Sequence, residues 1–320
     1  MRSTLKHLVE FEQKTSNPRK VLGLYIGWRG LSVTFPILKE LSFWERKSTA
    51  HNAGEAANEV FTRLQLIMDK KRNGVNNHNN SSYVVIGHSF GAALVYSAMR
   101  PIILSRLIEQ KYMKDKKIEH HANTDLVVLL NPAFEAARVK ELREMLIDTK
   151  AAPYLIVLTA DNDNATKKAF PAGRHLSTFF DKYSKNQKKA DRKTIGHYQP
   201  FYTHELKDIG AKKGNGCGKK DNDYVHELDL FSDNSHVDQW LLDYEKNSHQ
   251  LLLEDSSINH ISGITNPDNP IQIIQVQDRD ILDRHSNIIC DDLVDLIRTY
   301  IIFNSRYKSI KAPNKEGEQL

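Results

Sequence analysis

Ser89 stands in Gly87-His88-Ser89-Phe90-Gly91, between an apolar, β-prone run (Tyr83-Val84-Val85-Ile86) and a helix-compatible one (Ala92-Ala93-Leu94-Val95-Tyr96-Ser97-Ala98). A serine hydroxyl is a weak nucleophile until a neighbouring base takes its proton. It must also stand clear of the backbone, and a strand that turns sharply into a helix provides that exposure. Small residues two positions before and after the serine let strand and helix approach closely, so Gly87 and Gly91 are expected to supply that room. The turn also places the serine at a helix start, where the N–H of Phe90 and the helix dipole favour a developing negative charge. An inert serine in a glycine-bracketed turn would show the same five residues, so the reading depends on an acid and a base elsewhere in the chain.

Two apolar runs after the serine lead into loops. The run DLVVLL (125–130) leads into Asn131-Pro132-Ala133, and YLIVLTA (154–160) leads into Asp161-Asn162-Asp163-Asn164-Ala165-Thr166. The second offers two carboxylates, Asp161 and Asp163, although Asp and Asn after a strand also serve as caps and turn residues. For the base there are fourteen histidines. His285 is the one that follows the last apolar run, IQIIQVQ (271–277), and precedes the final helical pattern. His204, His236 and His260 come before that run, and His88 is read as a packing residue.

The elements that must position these residues follow from periodicity. Short apolar runs at 21–28 (VLGLYIGW), 83–87, 125–130, 154–160 and 271–277 alternate with helical segments, the pattern of a mostly parallel sheet flanked by helices on both faces. Val60, Leu64 and Ile67, with Phe61 beside them, predict a crossover helix, and Leu293, Leu296, Ile297, Tyr300 and Ile301 predict a closing one. The stretch 182–262 is polar and poor in strand signal, and reads as a long insertion over the sheet edge before the last strand. The chain is thus divided into a core of 1–181 and 263–305, an insertion of 182–262 that could act as a lid or cap, and a tail of 306–320. The insertion opens on Lys182, Lys185, Lys188, Lys189, Arg192 and Lys193, either a solvated face or part of a lid that attracts an anionic substrate or anionic lipid headgroups.

Composition narrows the function classes. The chain has 320 residues, 40% of them hydrophobic, and a formal charge of +5, which does not point to nucleic acid as a partner. Its two cysteines, Cys217 and Cys290, lack zinc-site spacing and do not suggest a disulfide scaffold. Neither a metal nor an organic cofactor is called for by the serine, histidine and aspartate. No apolar run approaches the roughly 20 residues that cross a bilayer, and the amino terminus lacks the apolar core of a secretory signal. A cytoplasmic protein, or one exported without a cleavable signal peptide, is expected.

The turn around Ser89, followed by an acid and then a histidine in that chain order, resembles the α/β-hydrolase family over about residues 20 to 303. In that family the acid lies a few residues past a strand, two strands after the turn, and the histidine lies past the last strand. The resemblance therefore implies a triad of Ser89, Asp163 and His285, with Asp161 as the reserve acid. It further implies an oxyanion hole built from the N–H of Phe90 and a second N–H from an earlier strand end. Gly27-Trp28-Arg29-Gly30 is the glycine-bearing strand end upstream, read either as that loop or as the end of the next strand. The chain is also similar to bacterial hydrolases that carry GWRGLS, then a segment like Phe43-Trp44-Glu45-Arg46-Lys47, and a His-Gly-Trp strand end further upstream. On that comparison the helical start Thr4–Gln13 follows a strand that the chain lacks, and half the oxyanion hole lies outside it. Hydrolysis of a carboxylic ester, including a lipid ester, is the implied activity. The alternative is a non-catalytic binding protein of the same fold.

Overall fold

The computed structural model describes residues 2–13, 18–28, 39–72, 81–112, 125–146, 153–177, 184–209, 250–252, 256–261, 269–288 and 291–311. Cys217, Cys290, Arg29, Gly30, Lys182 and His236, singled out above, lie outside them, as does the 306–320 tail beyond Lys311.

Seven strands form one sheet. They are β1 (Val84–His88), β2 (Leu126–Leu130), β3 (Leu155–Ala160), β4 (His204–Asp208), β5 (Leu251–Leu252), β6 (Ser256–His260) and β7 (Ile271–Val276), in spatial order β1-β2-β3-β7-β4-β6-β5. The first five in that order are parallel, and β6 and β5 run antiparallel to their neighbours. Residues of β2 and β3 are buried on both faces, which explains their unbroken apolar runs.

Alternation along the strands divides the interior into two cores. Val85, Val127, Leu129, Leu155, Val157, Ile271 and Ile273 face one side, with residues of α2 (Lys39–Arg72) and α3 (Phe90–Tyr112). Leu126, Val128, Leu130, Ile156, Leu158, Ile274 and Val276 face the other, against Leu293, Leu296, Ile297, Tyr300 and Phe303 of the closing helix, Asp291–Lys311. Helices therefore cover both faces, as expected. The helix α1 (Arg2–Glu12) is also present where the sequence placed one.

Three expectations need correction. The run 21–28 joins no ladder among the described residues, and Leu22, Leu24 and Tyr25 are 77%, 62% and 75% exposed. Apolar content alone does not make a strand without a neighbour to take its N–H and C=O groups. Within the run, Ile26 and Trp28 pack on the core, and Gly23 faces Leu5 of α1. The crossover helix buries a different face from the one predicted. Ala50, Ala57 and Phe61 are buried while Val60 and Ile67 are 43% and 56% exposed. Gly54 explains the choice, since a Cβ there would stand 2.4 Å from the Leu94 carbonyl oxygen of α3. Close backbone approach through small residues outweighs the larger side chains. Finally, the stretch 182–262 supplies β4, β6 and β5 to the sheet itself, extending its edge instead of only covering it.

Candidate active site

Strand order brings the carboxyl ends of β1, β3 and β7 to the same rim of the sheet, the usual place for a site in open α/β sheets. Ser89 follows β1 with φ 55°, a left-handed conformation that a non-glycine residue adopts only when its surroundings enforce it. Here they do. The Ser89 N–H donates to the Leu130 carbonyl at 3.0 Å, and its carbonyl accepts from the Ala92 and Ala133 N–H groups, both at 3.1 Å.

The two glycines of the turn differ in their surroundings. A Cβ on Gly87 would stand 2.7 Å from the Ala92 Cα, so only glycine fits. A Cβ on Gly91 would meet nothing within 4 Å, contrary to the expectation that both had to be small. Strand and helix come together on the Gly87 side of the turn alone.

The structure brings Ser89, His285 and Asp163 together. His285 Nε2 lies 2.8 Å from Ser89 Oγ, and His285 Nδ1 lies 2.8 Å from Asp163 Oδ2. Asp163 is fully buried, and burial works against its charged form. Hydrogen bonds from His285 and Thr166 outweigh that cost and hold its carboxyl below the usual carboxylate range. An ionised Asp163 only accepts, so Nδ1 of His285 carries the proton and Nε2 is left to accept from the Ser89 hydroxyl. Asp161, the other candidate acid, instead forms an ion pair with Arg279 at 2.5 Å. His204 and His260 face each other across β4 and β6, with ring centroids 5.2 Å apart.

Several polar residues that the sequence did not single out fix the loop bearing His285. Asn131, with φ 43°, donates from Nδ2 to the carbonyls of Arg284 (2.7 Å) and His285 (3.2 Å) and accepts the Ala160 N–H. Asn162 accepts the Arg284 N–H at 2.8 Å and donates to Asp283 Oδ1 at 2.7 Å. His88, read as a packing residue, donates from Nε2 to the His285 carbonyl at 2.7 Å, and the two rings lie 5.0 Å apart. Burial lowers the pKa of His88 and keeps it neutral. Asn131 directly follows β2 and Asn162 is the second residue after β3, positions that signal a turn but not the distant loop each grips.

Phe90 is the first residue of α3, so its N–H stands at the positive end of the helix beside Ser89. Trp28 packs edge-on against the Phe90 ring at 6.5 Å. Among the described residues no group of three or more His, Cys, Asp or Glu is placed to hold a metal ion, and no helix is long and apolar enough to cross a membrane. The protein-family models contain none that matches this chain, and no solved structure matches it.

Proposed function

We propose that this protein is a serine hydrolase that cleaves a carboxylic ester through an acyl-enzyme on Ser89. The observation that carries the reading is the hydrogen-bonded chain from Ser89 Oγ through His285 to Asp163, built from the segments that follow three strands far apart in sequence. In the first step His285 Nε2 takes the hydroxyl proton as Ser89 Oγ bonds to the ester carbonyl carbon. Asp163 holds the imidazole tautomer and stabilises the imidazolium. Collapse of the tetrahedral intermediate expels the alcohol, which leaves with the proton from His285. Water, deprotonated by the same histidine, then releases the acid and restores the serine. The Phe90 N–H, at the start of α3, stabilises the oxyanion.

Fluorophosphonate labelling tests this. The wild-type protein is expected to be labelled and Ser89→Ala to be silent. A folded wild type that resists the probe overturns the enzyme reading and leaves that of a binding protein. A lipid ester as substrate is tested with p-nitrophenyl esters of increasing acyl length. Activity that rises with length supports it, and strict preference for acetate removes it. Contact with anionic membranes is tested by vesicle binding after neutralising the lysines of the helix Lys185–Arg192.

A further inference from the structure

Asp163 does more than meet His285, and its remaining bonds lead to a second buried histidine. Its Oδ1 accepts the N–H groups of Ala165 (2.9 Å) and Thr166 (3.2 Å), and its Oδ2 accepts the Thr166 hydroxyl as well as His285. Beyond Thr166 lies His197, whose Nε2 is 3.1 Å from Thr166 Oγ1. Both are nearly fully buried.

The proton positions follow by elimination. An ionised carboxylate cannot donate, so the single hydroxyl proton of Thr166 points to Asp163. Thr166 Oγ1 can then only accept from the ring, so His197 Nε2 carries a proton. His197 is neutral at ordinary pH, since burial lowers its pKa to about 4. Asp163, Asp161, Lys167 and Lys193 are the charges that bear on it.

Independent packing holds His197 in this place. It ends the short 3₁₀ turn Ile195–His197, where a Cβ on Gly196 would stand 1.8 Å from Thr159 Oγ1, so the turn lies flush on β3. The residues leading into it pair with the loop after β2, through Ala136 N–H to the Lys193 carbonyl and Ile195 N–H to the Phe134 carbonyl. Thr166 lies in a single turn of π-helix, Ala165–Ala169, and its carbonyl accepts from the Thr194 hydroxyl at 3.3 Å.

We propose that His197 is a positioning residue which, by donating to Thr166 Oγ1, locks the threonine hydroxyl onto Asp163 and so sets how strongly that carboxylate draws the proton of His285. The inference rests on the hydrolase reading for its kinetic consequence but not for its geometry. Losing a donor to Asp163 concentrates its charge on the bond to His285, which favours the imidazolium, so the base is freed only at higher pH.

The ¹⁵N shifts of the His197 ring in the folded wild type test the geometry without any substrate. A protonated Nε2 is expected at neutral pH, and a bare Nε2 overturns the proposal. The pH profile of fluorophosphonate labelling tests the consequence. Thr166→Val and His197→Leu are expected to slow labelling about tenfold at neutral pH, the order expected when a hydrogen bond to a charged group is lost, and to move the acid limb to higher pH. Thr166→Ser and His197→Gln, which keep a hydroxyl and an N–H donor, should return the profile towards wild type. Folded Thr166→Val with a wild-type profile overturns the proposal. So does a His197→Leu effect that simply adds to that of Thr166→Val in the double variant. A wild type that is never labelled counts against the hydrolase reading, while the ring shifts still judge the relay.

Discussion

Ser89, His285 and Asp163 form a chain whose direction depends on one ionisation state. With Asp163 charged, each proton along it has a single place to go, and Asp163→Asn breaks that order because an amide can donate to Nδ1 and stabilise the wrong tautomer. The expected result is a fall of about 10⁴-fold in labelling rate with the fold retained. The stability consequence has a definite sign. Because the folded carboxyl titrates below its unfolded value of 3.8, its contribution is present above that value and lost as pH falls through the folded one. Any stability gap between wild type and Asp163→Asn that stems from this charge should therefore persist from neutrality to about pH 4 and close only below it, as followed by urea unfolding. The sequence reached Asp163 over Asp161 only through a family resemblance, because both are aspartates in one loop. What separates them is that Arg279 takes one and His285 the other.

At the scale of elements, the turn between β1 and α3 and the contact between α2 and α3 depend on particular small residues. Gly87→Ala is expected to destabilise the fold by about 1–3 kcal/mol, since the new methyl meets backbone that cannot give way. Gly91→Ala should be neutral or stabilising by up to about 1 kcal/mol, because the site is open and helical. Thermal unfolding of the two variants distinguishes these outcomes. The interface of α2 and α3 also buries His51, 2.6 Å from Ser97 Oγ, and burial lowers its pKa to about 3. The unfolded state therefore binds a proton below about pH 6.5 that the folded state refuses. Stability should fall as pH drops from 6.5 towards 3, and His51→Phe should flatten that slope in urea titrations. The hydrophobic period pointed to Val60 and Ile67 on this helix and missed Gly54, because a missing side chain leaves no apolar signal.

Across the whole molecule, Glu135 ties distant segments together beside the loop after β2. It is buried and meets Lys47 of α2, Arg138 at 3.2 Å and Arg174 of the helix Phe170–Ser177 at 3.2 Å, and Arg174 also holds Asp191 of the helix Lys185–Arg192. Glu135→Gln leaves the buried Lys47 without its counter-charge and should cost about 3–5 kcal/mol. Adding Lys47→Met should recover part of the loss, and equal stability of wild type and Glu135→Gln in urea would contradict this. Sequence by itself determined the parallel α/β plan, the turn at Ser89 and the closing helix, because each rests on local periodicity and residue size. Only the tertiary structure decided which aspartate faces His285, that residues 21–28 stay outside the ladder, that the polar strands β4 and β6 join the sheet, and that Asn131, Thr166 and His197 support the site. Those outcomes depend on hydrogen-bond partners more than twenty residues away or on backbone approach, and neither leaves a pattern along the chain.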